Sequence, residues 1–319
     1  MDFKQFKIAF LDVSTLGEVD NLSDLEELGE YIAYEFTFPE ERIERLQGID
    51  IVITNKVVID KDVMDACPDL KLVCIAATGM NNVDLDYAIE KGIEVKNVTG
   101  YSTESVAQSV FAMLFYLLHK SSYYDQYFKS GEYVLSPIFT HQGRSFWELK
   151  NKRFGIIGLG TIGKRVAEIA SAFGIEIVYY STSGKNLDTR YKSLDLETLL
   201  CKSDVISIHC PLNEHTHNLI DTAELKMMKS SAFLLNMARG GIVNENALAE
   251  AIDNEWIAGA GADVLTHEPV LADNPLMKIK NKEKLFITPH IAWTSNESKK
   301  MLVEKIFFNI REFEEVSRS

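Results

Sequence analysis

The stretch Arg153–Ala172, which reads RFGIIGLGTIGKRVAEIASA, decides the fold that this chain is expected to adopt. It opens with a short apolar run, Phe154–Ile157, of the length of a buried strand. The glycines Gly158, Gly160 and Gly163 follow in the order G-x-G-x-x-G, and apolar residues at helical spacing come after them. A strand, a glycine turn and a helix in this order are the context in which the motif predicts dinucleotide binding.

Each glycine of the motif has a physical role in a dinucleotide-binding site. Gly158 permits a tight turn, Gly160 lets the backbone approach the pyrophosphate, and Gly163 lets the helix and the strand pack closely. The helix N-terminus, at Thr161 and Ile162, offers free N–H groups and a partial positive charge to the phosphates. A glycine-rich turn without a ligand is the alternative interpretation.

Length, charge and cysteine content narrow the class of protein. At 319 residues the chain is long for a single core, so about two domains are expected. The formal net charge of −14 disfavours nucleic acid or an acidic membrane surface as the partner. The four cysteines show no C-x-x-C spacing, which fits a reducing compartment. Because the N-terminus lacks a signal-peptide layout and no apolar run could span a bilayer, we expect a cytoplasmic protein, and we predict no metal site.

Strands that alternate with helical segments predict two α/β units. Before the glycine motif, strands are predicted at 6–12, 51–54, 70–76 and 93–98, with a helix-like segment at 25–31. From the motif onward, strands are predicted at 154–158, 175–180, 205–209, 232–236, 258–263 and 285–288, and helices at 160–173, 222–229, 244–253 and 296–316. We therefore predict two doubly wound parallel sheets: a Rossmann domain over 102–291 and a smaller flavodoxin-like domain formed by 1–101 with 292–319.

The segment between the two predicted units has two parts. The helix predicted over 104–120 is apolar on many sides, so we expect the second domain or another subunit to bury it. Residues 121–148 have few periodic signals and many aromatic side chains, which predicts a long arm that lies over a surface, either of this subunit or of a partner.

Polar residues follow several predicted strands, where an open parallel sheet binds its ligands. The guanidinium of Arg239 suits a carboxylate, although a surface salt bridge is the alternative. His290 is a candidate proton carrier, with a core or surface histidine as the alternative. Glu268 could hydrogen-bond such a histidine, or it could be a solvated loop acid. Other polar or special residues at such positions are Lys56, Thr78, Gly79, Ser181, Cys210, Pro211 and Asp263.

Taken in order, these residues resemble the D-2-hydroxyacid dehydrogenase family. Besides the glycine turn, the resemblance rests on N-x-x-R-G-G at Asn236–Gly241, D-x-x-x-x-E-P at Asp263–Pro269 and P-H-I-A-W at Pro289–Trp293. It extends over nearly the whole chain through Ala76–Gly79, Ser105–Ala107 and His209–Leu212. The glycerate dehydrogenase branch, also called hydroxypyruvate reductase, is the most similar.

The resemblance implies an NAD- or NADP-dependent oxidoreductase that interconverts a small 2-keto acid and a D-2-hydroxy acid, with hydroxypyruvate or glyoxylate as the best candidates. It also implies that Arg239 binds the substrate carboxylate, that His290 carries the proton and that Glu268 holds the imidazole. Substrate contacts are expected from Lys56, Thr78, Gly79, Arg239 and His290. Cofactor contacts are expected from Gly158, Gly160, Thr161, Ile162, Gly163, Ser181, Thr182, Lys185, Cys210, Pro211, Met237, Ala238, Arg239, Asp263, His290 and Val106.

The turn after the second strand of the nucleotide unit departs from the family pattern. Where the family usually has an aspartate that holds the ribose hydroxyls, this chain reads STSGK over residues 181–185. Ser181 does not repel a 2′-phosphate and Lys185 could attract one, but the turn has no arginine. Glu176 lies within the strand, where it is badly placed to replace the aspartate. NAD and NADP therefore both remain open.

The resemblance leaves the assembly and the reaction partly open. It suggests a homodimer through residues 104–148, with packing inside the subunit as the alternative. Formate or phosphite oxidation on the same fold is a second enzymatic hypothesis, although the formate branch typically has Gln in place of Glu268. A dinucleotide-sensing corepressor or scaffold is a third hypothesis, which the acidic charge disfavours.

Overall fold

Strands and helices alternate through almost all of the computed structural model, which describes residues 6–185 and 187–318. The strands are β1 (Lys7–Phe10), β2 (Glu30–Ala33), β3 (Ile51–Thr54), β4 (Leu72–Ile75), β5 (Glu94–Asn97), β6 (Arg153–Ile157), β7 (Glu176–Tyr180), β8 (Lys192–Ser193), β9 (Val205–Ile208), β10 (Phe233–Asn236), β11 (Gly259–Ala262) and β12 (Leu285–Ile287). The α-helices are α1 (Arg42–Arg45), α2 (Lys61–Ala66), α3 (Leu85–Lys91), α4 (Thr103–Leu118), α5 (Ser121–Lys129), α6 (Thr161–Ser171), α7 (Leu196–Lys202), α8 (Thr222–Met227), α9 (Glu245–Asp253) and α10 (Asn296–Arg318). None of the helices within these described ranges is both long and apolar enough to cross a bilayer.

The chain folds into two compact units. Unit 1 comprises the residues up to Ser102 and those from Thr294 onward, and unit 2 comprises residues 103–293. The predicted boundaries differ from these by a residue or two, at 101 and 291 instead of 102 and 293. Helix α10 completes unit 1, where the Nδ2 of Asn309 donates to the carbonyl oxygen of Asn97 at 3.1 Å.

Unit 1 is built on a five-stranded, fully parallel sheet in the order β2-β1-β3-β4-β5, which is the flavodoxin-like order. The order reverses between β1 and β3, and Asp12 follows β1 at this point. Its buried carboxylate accepts hydrogen bonds from the backbone N–H groups of Asn55 (2.8 Å), Lys56 (2.6 Å) and Val57 (3.3 Å). Asp12 therefore fixes the turn after β3 that carries Lys56.

The prediction of a helix-like segment at 25–31 is wrong at the C-terminal end of that range. A 3-10 helix covers Leu22–Leu28, Gly29 follows it, and β2 begins at Glu30. Because β2 is an edge strand, its residues are mostly exposed. An exposed edge strand does not need the continuous apolar run by which a buried strand is identified.

Unit 2 is built on a seven-stranded, fully parallel sheet in the order β12-β11-β10-β9-β6-β7-β8. Counted from β6, this is the dinucleotide-binding order 3-2-1-4-5-6 with a further strand at the edge. The predicted fold class, two doubly wound parallel α/β sheets, is thus confirmed. Strand β8 was not among the six predicted strands because two residues are too few to show a pattern.

Helix α4 is buried inside unit 2. Its apolar residues, among them Val110, Leu114 and Leu117, belong to the core that packs on β10, β11, β12 and α6. The sequence left open whether the second domain or another subunit buries this helix. The core of unit 2 accounts for these side chains. The arm of residues 121–148 includes α5, a helix without a single buried residue, and a buried apolar stripe is the feature by which a helix is usually predicted.

Candidate active site

The glycine turn after β6 is shaped by close packing at two of its three glycines. Gly158 has a φ of +94°, and a Cβ atom there would lie 2.6 Å from the backbone nitrogen of Cys210. A Cβ atom on Gly163 would overlap the carbonyl oxygen of Gly158. At Gly160, by contrast, a Cβ atom would meet nothing within 4 Å. The middle glycine therefore borders open space in front of helix α6.

The groups around this space fit a dinucleotide. Helix α6 has no side-chain cap, and its first intrahelical bond runs from the N–H of Lys164 to the carbonyl oxygen of Gly160 at 2.9 Å. The N–H groups of Thr161, Ile162 and Gly163 consequently have no intrahelical acceptor and are available to phosphate oxygens. The turn lies between β6 and β9, where the strand order reverses and α/β sheets bind their ligands.

Alanine at two positions of this turn should separate binding from packing. We expect Gly160→Ala to fold normally, because Gly160 has a φ of −78° and free space, but to weaken dinucleotide binding by about tenfold or more by blocking the close approach of the pyrophosphate. We expect Gly163→Ala to lower the free energy of unfolding by about 1–3 kcal/mol through overpacking. Fluorescence titration with the dinucleotide and urea unfolding measure the two effects. Unchanged dinucleotide affinity in Gly160→Ala would show that the site lies elsewhere.

The loop after β10 presents Arg239. Asn236 holds this loop, since its Nδ2 donates to the carbonyl oxygen of Arg239 (2.9 Å) and its Oδ1 accepts from the N–H of Ala238 (3.1 Å). The Nη1 of Arg239 donates to the carbonyl oxygen of Ala238 at 2.7 Å. Within the described ranges the guanidinium forms no ion pair with a carboxylate. Its remaining donors are therefore available to an anionic ligand.

The loops that carry Arg239 and Glu268 touch each other. A Cβ atom on Gly240 would overlap the carbonyl oxygen of Leu265, so only glycine permits this approach. The backbone N–H of Leu265 in turn donates to Oε1 of Glu268 at 2.9 Å. The sequence N-x-x-R-G-G thus positions the arginine next to the segment that presents the glutamate.

Glu268 and His290 form a hydrogen-bonded pair. The Nδ1 of His290 lies 2.7 Å from Oε2 of Glu268. Because a carboxylate only accepts hydrogen bonds, Nδ1 carries the proton of this bond and Nε2 is left to exchange a proton with a ligand. The His290 side chain is 23% exposed, so the ring is held but still accessible. Its backbone has a φ of +57°, which is uncommon outside glycine.

Asp263 fixes the turn in which His290 lies. Its Oδ1 accepts from the hydroxyl of Thr288 (2.6 Å) and the N–H of Ile291 (2.9 Å), and its Oδ2 accepts from the N–H of Ala292 (2.8 Å). Burial raises the pKa of Asp263, and these hydrogen bonds oppose the rise. Asp263 therefore caps the turn that carries His290.

Two further residues of the site were not singled out by sequence reasoning. Thr288 lacks any signal in the sequence, because a threonine at the end of a strand is common. Ser105, at the start of α4, donates from its buried hydroxyl to the carbonyl oxygen of Ala292 at 2.6 Å. Its place in the segment Ser105–Ala107 of the family resemblance was the one available clue.

The remaining predicted site residues divide between the two units. Lys56 and Thr78 are exposed and Gly79 is half-buried in unit 1, and the hydroxyl of Thr78 donates to the carbonyl oxygen of Val98 at 2.9 Å. In unit 2, four candidates follow strand ends and one lies on a helix: Cys210 and Pro211 after β9, Met237 and Ala238 after β10, and Val106 in α4. The described part of the chain holds no cluster of three His, Cys, Asp or Glu side chains suited to a metal ion.

His209 is an unusual histidine next to the glycine turn. Its Nε2 lies 2.8 Å from the hydroxyl of Ser207, and its Nδ1 is buried with no hydrogen-bond partner among the described residues. Burial lowers the pKa of His209 to about 3. At any pH well above 3 the imidazole is therefore neutral in the folded protein.

The buried state of His209 makes stability depend on pH. Between pH 6.5 and 3 the unfolded histidine binds a proton and the folded one does not, so the free energy of unfolding should fall as the pH falls, by up to ~1.4 kcal/mol per pH unit. Replacing His209 with Gln should remove this contribution. Urea unfolding of both proteins at pH 7 and pH 5 measures it. His215→Gln, at an exposed histidine, is the control that should show no such difference. A gap between wild type and His209→Gln that does not change with pH would contradict the prediction.

The part of the chain that contains these site residues matches a known protein family. Residues 111–292 match the family model described as the D-isomer specific 2-hydroxyacid dehydrogenase, NAD binding domain. This range includes the glycine turn, Arg239, Glu268 and His290.

Similar proteins resemble the chain over most of its length. A hydroxypyruvate reductase of Blautia hydrogenotrophica is 37% identical, with 96% of each chain covered. A glycerate dehydrogenase of Methylorubrum extorquens is 36% identical, again with 96% of each chain covered. A glyoxylate reductase of Thermococcus litoralis is 36% identical over 86% of this chain and 82% of its own. Among solved structures, an acyclic imino acid reductase in complex with NADPH and D-Arg superposes with a TM-score of 0.86 at 31% identity, over 97% of each chain.

Proposed function

Because this chain belongs to the D-isomer specific 2-hydroxyacid dehydrogenase family, we propose that it reduces hydroxypyruvate to D-glycerate or glyoxylate to glycolate. As a member it is an oxidoreductase that acts on small 2-hydroxy acids with NAD or NADP as its cofactor. The relatives named for hydroxypyruvate, glycerate and glyoxylate support the choice of substrate, since they match most or nearly all of the chain.

The hydrogen bond between Glu268 and His290 is the observation that carries this proposal. Reduction of a keto group needs a proton at the carbonyl oxygen, and His290 donates it from Nε2. Glu268 accepts from Nδ1 at 2.7 Å, which orients the ring and leaves Nε2 to face the substrate. The bound nicotinamide supplies the hydride. In the oxidative direction His290 takes the proton from the hydroxyl group.

Arg239 is the proposed anchor of the substrate carboxylate. Its guanidinium forms no ion pair within the described chain, and a planar fork binds a carboxylate through two parallel hydrogen bonds. We assign further substrate contacts to Lys56, Thr78 and Gly79, which follow β3 and β4. Unit 1 is accordingly proposed as the substrate domain and unit 2 as the dinucleotide-binding domain.

The dinucleotide contacts are proposed at the ends of the unit 2 strands. The glycine turn and the first turn of α6 receive the pyrophosphate, and the turn after β7 receives the adenosine ribose. Asp263 accepts three hydrogen bonds inside the protein, and a carboxylate can accept about four, so one acceptor site remains for the nicotinamide carboxamide. Cys210, Pro211, Met237, Ala238 and Val106 complete the proposed set.

A homodimer through residues 104–148 and a cytoplasmic location belong to the same proposal. Because the apolar side chains of α4 are used in the core of unit 2, the arm after it supplies the contact surface. Val134, Leu135 and Phe139 are 86%, 84% and 91% exposed. Exposed apolar side chains grouped along one segment are typical of a subunit interface.

Steady-state assays of NADH and NADPH oxidation with hydroxypyruvate and glyoxylate test the proposed reaction. We expect turnover with at least one of the keto acids. Formate and phosphite, supplied with NAD and NADP, are the controls. Oxidation of either control together with no reduction of the keto acids would overturn the proposal.

The hydrogen-bonded pair of Glu268 and His290 does not favour formate oxidation. Formate oxidation transfers a hydride and leaves carbon dioxide, so it has no proton for a residue such as His290 to accept. The Glu268–His290 pair would then have no chemical task. No observation in the described structure favours a corepressor or scaffold role.

A further inference from the structure

The turn after β7 presents hydrogen-bond donors that lack acceptors. It is closed by a hydrogen bond from the N–H of Gly184 to the carbonyl oxygen of Ser181 at 3.3 Å. The Oγ of Ser181 is buried and has no partner in the described ranges. Neither the hydroxyl of Thr182 nor the ammonium of Lys185 bonds to a described residue. A buried hydroxyl without a partner is costly, and such groups are typically completed by a ligand or water.

The acidic residues that flank this turn in the sequence are already engaged. Glu176, at the opposite end of β7, accepts from Nη2 (2.6 Å) and Nε (3.0 Å) of Arg153. Asp188 accepts from Nη2 (2.9 Å) and Nε (3.1 Å) of Arg190, and its side chain is only 11% exposed. Residues 181–185 contain no acidic side chain. Neither of these two carboxylates is thus free to hold the ribose hydroxyls in the way an NAD-specific site does.

We propose that the turn Ser181–Lys185 is a phosphate site and that this protein prefers NADP(H) over NAD(H). The inference rests on the proposed function, in that the adenosine ribose lies at the end of β7. A 2′-phosphate brings negative charge and several acceptor oxygens to Ser181, Thr182 and Lys185. The 2′-hydroxyl of NADH would leave the Lys185 ammonium without a partner.

Binding measurements without a substrate test the preference directly. Isothermal titration gives Kd for NADPH, NADH, 2′-phospho-AMP and 5′-AMP. We expect NADPH to bind at least about tenfold more tightly than NADH, the effect of a charge-assisted hydrogen bond, and 2′-phospho-AMP to exceed 5′-AMP likewise. Because the contact is ionic and exposed, the preference should shrink as the salt concentration rises.

Variants of the turn test whether its residues cause the preference for NADPH over NADH. Lys185→Ala should weaken NADPH binding by about tenfold and leave NADH binding unchanged. Ser181→Asp should reverse the preference, since a carboxylate repels the phosphate and accepts from the ribose. Lys202→Ala removes an exposed lysine at the end of α7, near the amino end of β9, and should leave both affinities unchanged.

The outcomes separate this inference from the proposed reaction. Equal or tighter binding of NADH by the wild type would overturn the phosphate site even if hydroxypyruvate is reduced. Equal losses of NADH and NADPH affinity in Lys185→Ala would do the same. Tight NADPH binding that is lost in Ser181→Asp would support the inference even if neither keto acid is turned over, because the binding experiment contains no substrate.

Discussion

Removal of the His290 imidazole should lower kcat by about 100- to 10,000-fold, the usual contribution of a general acid. The backbone at His290 has a φ of +57°, so alanine adds strain there, whereas asparagine tolerates this conformation. We therefore expect His290→Ala and His290→Asn to lose turnover alike, with His290→Asn the better folded of the two. Steady-state kinetics with the keto acid give the loss of turnover, and a dinucleotide titration shows that the cofactor still binds.

A second histidine–glutamate pair on the surface gives a matched control. His215 Nε2 lies 3.4 Å from Oε1 of Glu214, and both side chains are largely exposed. His215→Asn should keep full activity, since solvent surrounds this pair. Normal turnover in His290→Asn would remove His290 from the mechanism. Loss of both turnover and dinucleotide binding would point to a collapsed site instead of a lost acid.

The second large effect is expected for Arg239→Lys. Lysine keeps the positive charge, but a single ammonium cannot form the two parallel hydrogen bonds of a guanidinium with a carboxylate. Loss of a charge-assisted hydrogen bond of about 1.5–3 kcal/mol corresponds to a roughly 10- to 100-fold fall in kcat/KM. We expect most of the fall in kcat/KM to come from a higher KM for the keto acid, as measured by initial rates at saturating dinucleotide.

The control for Arg239 is another arginine that binds a carboxylate with two nitrogens. Arg153 holds Glu176 in this way at the amino end of β7, away from the strand ends that carry the site. Arg153→Lys should leave kcat/KM essentially unchanged. If Arg239→Lys kept the wild-type KM, the substrate carboxylate would have to be bound by other residues.

The sequence predicts the fold of this chain best where elements are buried. The run Phe154–Ile157 and the glycines after it predict β6 and α6 because buried strands are apolar throughout and the turn needs its glycines. The helix α5 and the edge strand β2 are not predicted from the sequence, because neither buries an apolar face. Their side chains are set by tertiary contacts, such as the 2.8 Å bond between Tyr123 and His141, which no local pattern encodes.

For the candidate site, the sequence predicts candidate residues but not how they are held. The strand-end positions and the family resemblance together single out Arg239, Glu268 and His290, and the structure brings Glu268 and His290 into contact. The bonds from Asp263 to the turn of His290 could not be foreseen, because they join residues far apart in the sequence. The cofactor preference of the turn after β7 has no local sequence pattern, because it depends on which donors and acceptors around the turn already have partners.

The hydrogen bond from Ser105 to Ala292 also bears on how the chain folds. Unit 1 is assembled from two segments separated by the whole of unit 2, and closing a loop of roughly 190 residues costs about 5 kcal/mol of chain entropy. Unit 2 is continuous, so it can fold before α10 joins the sheet of unit 1. Once it has folded, the 2.6 Å bond holds its two ends together. Because the folded unit 2 already holds these ends close together, little further chain entropy is lost when α10 joins the sheet of unit 1.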